Sequence, residues 1–126
     1  MHQLADLAQH QLGNELATVA VEGNFRYARA QIRRQRTRWG SCSASGTISL
    51  NVCLMFLSPA VVRYLFVHEL CHTRHMNHSA HFWALVERAY PGYRDAERWL
   101  KARAARDKVT FEPAAAPVQR PEGPDS

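Results

Sequence analysis

The sequence predicts a single α+β domain, and three observations carry that prediction. Apolar residues recur at helical spacing near the start and again across the second half. Between these stretches, Thr47-Ile48-Ser49-Leu50-Asn51-Val52 alternates with a period of two, as a half-buried strand does. The length of 126 residues suits one core.

The elements follow in order. Residues 1–18 are predicted helical, with Leu4, Leu7, Ala8, Leu12 and Leu16 near helical spacing and Gly13-Asn14 as an interruption or first end. Phe25 to Trp39 reads as one or two strands, with Phe25, Tyr27 and Ile32 set among arginines. Gly40 to Gly46 is small and polar and reads as a turn. The strand 47–52 then forms an antiparallel hairpin with the strand ending at Trp39. Ser58-Pro59 starts a helix, with Ser as N-cap and Pro at the first helical position. Val61, Val62, Leu65, Phe66 and Leu70 form its apolar face, and Asn77 is its expected end. Ser79 caps the next helix, which carries Phe82, Leu85, Val86 and Ala89 and stops at Pro91-Gly92. A last helix runs from Tyr93 to about Arg106 and is expected to bury Trp99 and Leu100. The domain is placed at residues 1–108. The Pro/Ala-rich tail 112–126 has little to pack and is expected to be disordered.

Composition narrows the function classes. The three cysteines, Cys42, Cys53 and Cys71, form no C-x-x-C pair, so neither a disulfide framework nor a cysteine zinc ribbon is supported. The start lacks a basic region followed by an apolar one, and no apolar run approaches a membrane span. A cytoplasmic protein without membrane partners is expected. Net charge is +5, concentrated at Arg26, Arg29, Arg33, Arg34, Arg36 and Arg38. Such a cluster can contact nucleic-acid phosphates. A solvated strand face is the favoured reading.

His68-Glu69-Leu70-Cys71-His72 is an H-E-x-x-H segment inside the strongest predicted helix. Four residues turn a helix through about 400°, so the two imidazoles share a face one turn apart and can grip one zinc ion. Glu69 lies about 100° round from His68, beside the metal's open position, where a general base belongs. An H-E-x-x-H turn without metal is the competing reading, but unpaired His and Glu deep in an apolar helix would be costly.

A catalytic zinc takes a third protein ligand. His75 faces the same way as His68 but sits about 10.5 Å along the axis from it, too far for one ion to serve both ends. His78 is favoured, because H-E-x-x-H-x-x-x-x-x-H matches the metzincin spacing. That motif has Gly where this chain has His75, so the reversal is expected at Asn77. His81, on the next helix, is the reserve.

Four blocks in order resemble one family. They are Arg36-Thr37-Arg38-Trp39-Gly40-Ser41-Cys42-Ser43, then Gly46-Thr47-Ile48-Ser49-Leu50-Asn51, then His68-Glu69-Leu70-Cys71-His72, then Asn77-His78-Ser79 with Phe82-Trp83. Together, over roughly residues 25–103, they look like the YgjP-like metallopeptidases, which are similar also to the SprT and WLM families. The resemblance implies a zincin-like α+β domain with a small antiparallel sheet packed on the H-E-x-x-H helix. It implies one zinc per chain on His68, His72 and His78, with Glu69 catalytic. Many relatives look longer at the N-terminus, with extra strands where this chain has a short helical lead.

The expected activity is therefore hydrolysis of a peptide or protein substrate by Glu69-assisted attack of a zinc-bound water, with the substrate extended along an edge strand. Two alternatives stand beside it: a DNA-associated protease docked through the arginines, and a zinc-binding module without turnover. Trp39 to Cys42 reads as a packed hairpin turn rather than a nucleophile site, and Phe82-Trp83 as core. Tyr90, Tyr93 and Arg94 can polarise a carbonyl, but structural roles are favoured for them.

Overall fold

The computed structural model describes residues 2–34 and 38–107. The sequence readings for Arg36 and for the tail 112–126 lie outside them. The first helix, α1 (His2–Gly23), buries Ala8, Leu12, Leu16, Val19 and Ala20 along one stripe. It runs through Gly13-Asn14 and ends well beyond residue 18. A glycine inside a helix costs about 1 kcal/mol, and burying the leucines on either side of it outweighs that. The end is a Schellman motif. Asn24 takes the left-handed conformation at φ 59°, its N–H bonds Val21 O at 3.2 Å, and Phe25 N–H reaches back to Ala20 O at 2.8 Å.

Three strands make one sheet among the described residues: β1 (Arg29–Arg33), β2 (Gly40–Cys42) and β3 (Thr47–Asn51), in the order β1-β3-β2. β2 pairs antiparallel with β3, while β1 pairs with it in parallel. The sheet is mixed, which corrects the expected all-antiparallel arrangement. The hairpin partner of β3 is the Gly-Ser-Cys segment that reads as a turn, because those residues have low strand propensity. The true turn is shorter. Ser43 N–H bonds Thr47 O at 2.9 Å, Gly46 N–H bonds Ser43 O at 3.0 Å, and Gly46 itself takes φ 92°. With that edge of β3 occupied by β2, β1 lies against the other. The register sets Ala30, Ile48 and Cys42 in one row and Ile32, Leu50 and Gly40 in the next.

A 3-10 turn (Val52–Phe56) links β3 to the helices. Asn51 Oδ1 accepts from Cys53 N–H at 2.9 Å and its Nδ2 donates to Arg38 O at 2.7 Å, so one buried side chain ties the turn to the start of the hairpin. The second helix, α2 (Pro59–Cys71), starts at Ser58-Pro59 as expected and is buried from Tyr64 through Cys71. It ends at Cys71 rather than Asn77. His72, Thr73 and Arg74 donate to the carbonyls three residues back, and Thr73 Oγ1 donates to Leu70 O at 2.6 Å. These bonds satisfy the last carbonyls of the helix and stop it early.

Ser79 caps α3 (Ala80–Ala89), its Oγ accepting from Phe82 N–H at 3.3 Å, and Pro91-Gly92 separates it from α4 (Tyr93–Asp107). Leu100 is buried as expected, but Trp99 is 41% exposed, which corrects the sequence reading. The inward stripe of α4 runs Tyr93, Glu97, Leu100 and Ala104, and Trp99 falls about 100° off it. Arg103 lies over the Trp99 ring at 5.5 Å instead.

Candidate metal centre

α2 is the central helix, and its last turn presents the H-E-x-x-H side chains. His68 and Glu69 are fully buried, and His72, at the helix cap, is 3% exposed. The chain then reverses through residues 72–79, which returns His78 to the same point at 4% exposure. One ligand atom from each of His68, His72 and His78 lies within 4.8 Å of the others.

The donor chemistry fits a metal ion. His72 Nδ1 stands 3.0 Å from His75 O. A carbonyl oxygen only accepts, so Nδ1 carries the proton and Nε2 keeps its lone pair. Tyr64, one turn before His68, places its hydroxyl 3.2 Å from His68 Nδ1 and tethers that ring. His72 Nε2 and His78 Nε2 are 3.1 Å apart. Tetrahedral zinc at about 2.0–2.1 Å from each nitrogen would separate its ligands by about 3.3–3.4 Å. The pair is already near the spacing an ion imposes.

Aromatic rings form the floor. Phe82 lies 5.1 Å from the His68 ring, 4.5 Å from His72 and 4.9 Å from His78, centroid to centroid. Trp83 stacks on Tyr93 at 5.5 Å, and Tyr93 on Tyr64 at 6.0 Å, so the partner of His68 is held by packing from α3 and α4. Phe82 and Trp83 are core, as the helical stripe predicts, and they also fix the imidazole planes. On the other side of Glu69 the sheet comes unusually close. A Cβ at Gly40 would stand 3.1 Å from Ser49 O, 3.4 Å from Leu65 Cδ2 and 3.6 Å from Glu69 Cγ. Glycine there lets β2 lie directly against the H-E-x-x-H turn of α2.

His75 and His81 fall outside the cluster. His75 contributes its backbone carbonyl, and its ring stacks with that of His81 at 5.9 Å. Tyr90 donates to Ala60 O at 3.2 Å, and the Arg94 guanidinium lies 5.3 Å from the Tyr93 ring centre. Sequence reasoning missed Tyr64 and Gly40. The Tyr64-x-x-x-His68 spacing was a usable signal for the first; the second depends on a tertiary approach.

Cys42 is no nucleophile. Burial, then the nearby Glu69 carboxylate, push its thiol up to about 12, and Cys71 is pushed up to about 12, chiefly by burial. Thiolates carry the reactivity of cysteine. Iodoacetamide at pH 8 is therefore expected to label the exposed Cys53 in the native chain and all three thiols in denaturant, as read by mass spectrometry. Rapid native labelling of Cys42 would contradict this.

No described helix is long and apolar enough to cross a membrane. A comparison with curated protein sequences finds no match. Among solved structures the chain is similar to the metallopeptidase zymogen abylysin of Pyrococcus abyssi, with 23% identity, a TM-score of 0.66, and coverage of 79% of this chain and 98% of that one. It is also similar to the metallopeptidase zymogen jannalysin of Methanocaldococcus jannaschii, with 18% identity, a TM-score of 0.62, and coverage of 75% and 95%. At those identities the likeness shows a shared α+β fold. The model of the YgjP-like metallopeptidase domain matches residues 2–103, nearly everything described above, and the chain accordingly belongs to the YgjP-like metallopeptidases, hydrolases of peptide bonds.

Proposed function

We propose that residues 1–108 form a catalytic unit that hydrolyses peptide bonds with one zinc ion on His68, His72 and His78 and with Glu69 as general base. The observation that carries this reading is the convergence of three buried imidazoles beside a buried glutamate. An all-imidazole set suits zinc, whereas magnesium and calcium prefer oxygen ligands. When bound, zinc acidifies a water and polarises the scissile carbonyl.

The chain's own residues supply the rest. Glu69 accepts the proton of the attacking water and returns it to the leaving amine. The His75 carbonyl keeps the His72 Nε2 lone pair turned inward, and Tyr64 tethers the His68 ring. β2 is a sheet edge among the described residues and the strand nearest Glu69. It is the edge along which an extended substrate lies, its backbone paired as an added strand. Three free thiols suit a reducing cytoplasm.

The test is metal analysis of the purified chain together with digestion of unfolded casein. About one zinc per chain is expected, with cleavage abolished by a chelator and restored by added zinc. Full zinc content without turnover on any unfolded protein would make the site a binding module instead.

A further inference from the structure

A cavity lies behind α2, lined by none of the residues of the metal centre. It measures about 330 Å³ and opens between the C-terminal end of α1, α2 and α3. Its inner wall is apolar, built from Val19, Phe25, Val67 and Leu85. Its other walls carry three guanidiniums, Arg63, Arg74 and Arg88, against a single carboxylate, Glu22.

The three cations are held differently. Arg63 Nη2 pairs with Glu22 Oε1 at 2.7 Å. Arg74 donates to Asn24 O, and its guanidinium lies over the Phe25 ring at 4.7 Å from the centroid. These contacts anchor both side chains at the cavity wall. Arg88 has no carboxylate within ion-pairing distance among the described residues. The lining therefore carries a net excess of two positive charges beside an apolar wall.

We propose that this cavity binds a small amphiphilic anion, a carboxylate or phosphate ester whose apolar body packs on Val19, Phe25, Val67 and Leu85. Its head lies between Arg88 and Arg74. Guanidinium recognises both heads through paired N–H···O bonds, and an apolar pocket with a few placed polar groups is the usual form of a small-ligand site. The volume is at the lower end of the range for such sites. Bulk phosphate fills only the charged side, and a neutral alcohol only the apolar one, so the two halves can be tested separately.

The experiment is a titration of the ¹⁵N-labelled full chain, followed by amide shifts, with octanoate, octyl phosphate, inorganic phosphate and octanol. Saturable shifts centred on Gly23, Phe25, Arg74 and Ala89 are expected with octanoate and octyl phosphate, alike in zinc-loaded and chelator-treated protein. Whichever of the two binds more tightly identifies the preferred head group. Inorganic phosphate and octanol should each bind more weakly. Arg88→Ala, at an exposed position, should weaken octanoate binding by about tenfold, the scale of a lost charge-assisted bond, and Arg88→Lys should recover part of it. Shifts centred on residues 68–72 and 78, equal binding of octanol, equal binding of inorganic phosphate, or an unaffected Arg88→Ala variant would each overturn the proposal. Because the chelated arm reads binding without zinc, failure here leaves the peptidase reading intact, and failure of that reading leaves this one testable.

Discussion

Glu69→Gln is expected to fold, to keep its zinc near the wild-type level, and to hydrolyse unfolded casein about 10²-fold more slowly or worse. The substitution preserves size and shape at a position with no room to spare. Glu69 is fully buried, and β2 presses against it through Gly40. What it removes is the capacity to take a proton. In the proposed site the three imidazoles are the protein ligands of the zinc, so the ion is not expected to depend on the carboxylate. The measurement pairs zinc content with initial rates at saturating substrate. Wild-type rates in the variant would overturn the mechanism. Loss of the ion would show that Glu69 is a ligand.

The second large effect is expected from His78→Ala. Of the three clustered histidines, His78 is the one outside the H-E-x-x-H turn, and it reaches the centre because the chain reverses between Cys71 and Ala80. Removing it leaves two imidazoles on α2. Zinc affinity should fall by more than the 10–100-fold typical of losing an outer partner of a ligand. Activity should fall with it, and so should the zinc-dependent part of thermal stability. His81→Ala is the control. His81 stacks on His75 outside the cluster, and its loss should leave zinc affinity unchanged. If His81→Ala lost the ion and His78→Ala kept it, the ligand assignment would be wrong.

Much of this site was legible because its signals are local. H-E-x-x-H inside an apolar helix specifies a shared face by helical geometry alone, and the spacing to His78 needs only a turn to be completed. The place of that turn was not legible. Asn77 looks like a helix end, but the helix stops at Cys71, where the Thr73 hydroxyl takes the Leu70 carbonyl. Side-chain competition for backbone groups at a helix end is a contest between near-equal alternatives, and propensity does not rank them. The sheet was misread for a related reason. Gly40-Ser41-Cys42 lacks strand-forming residues and becomes a strand because β3 offers it a ladder and α2 offers Gly40 a close seat. The parallel pairing of β1 has no local signature, since it joins segments separated by the whole hairpin. Trp99 illustrates the limit of size as a guide to burial. The stripe through Tyr93, Leu100 and Ala104 decides which face turns inward, and the largest side chain is left off it.

The strand order has one more consequence, and it concerns what the sheet refuses. Among the described residues both outer strands are sheet edges with rows of amide and carbonyl groups, and such rows recruit stray chains into intermolecular aggregates. On β1 the row is flanked by Arg29 and Arg33, with Arg34 following, all exposed. Stacking a second copy there would crowd like charges together and strip them of water, so these arginines act as gatekeepers. β2, with Gly40, Ser41 and Cys42, carries no charge at all. The sheet is thus guarded on the side remote from Glu69 and left permissive on the side beside it. On the proposed reading strand addition is one-sided: the edge beside Glu69 takes in a substrate chain, while the arginine-flanked edge resists a second copy.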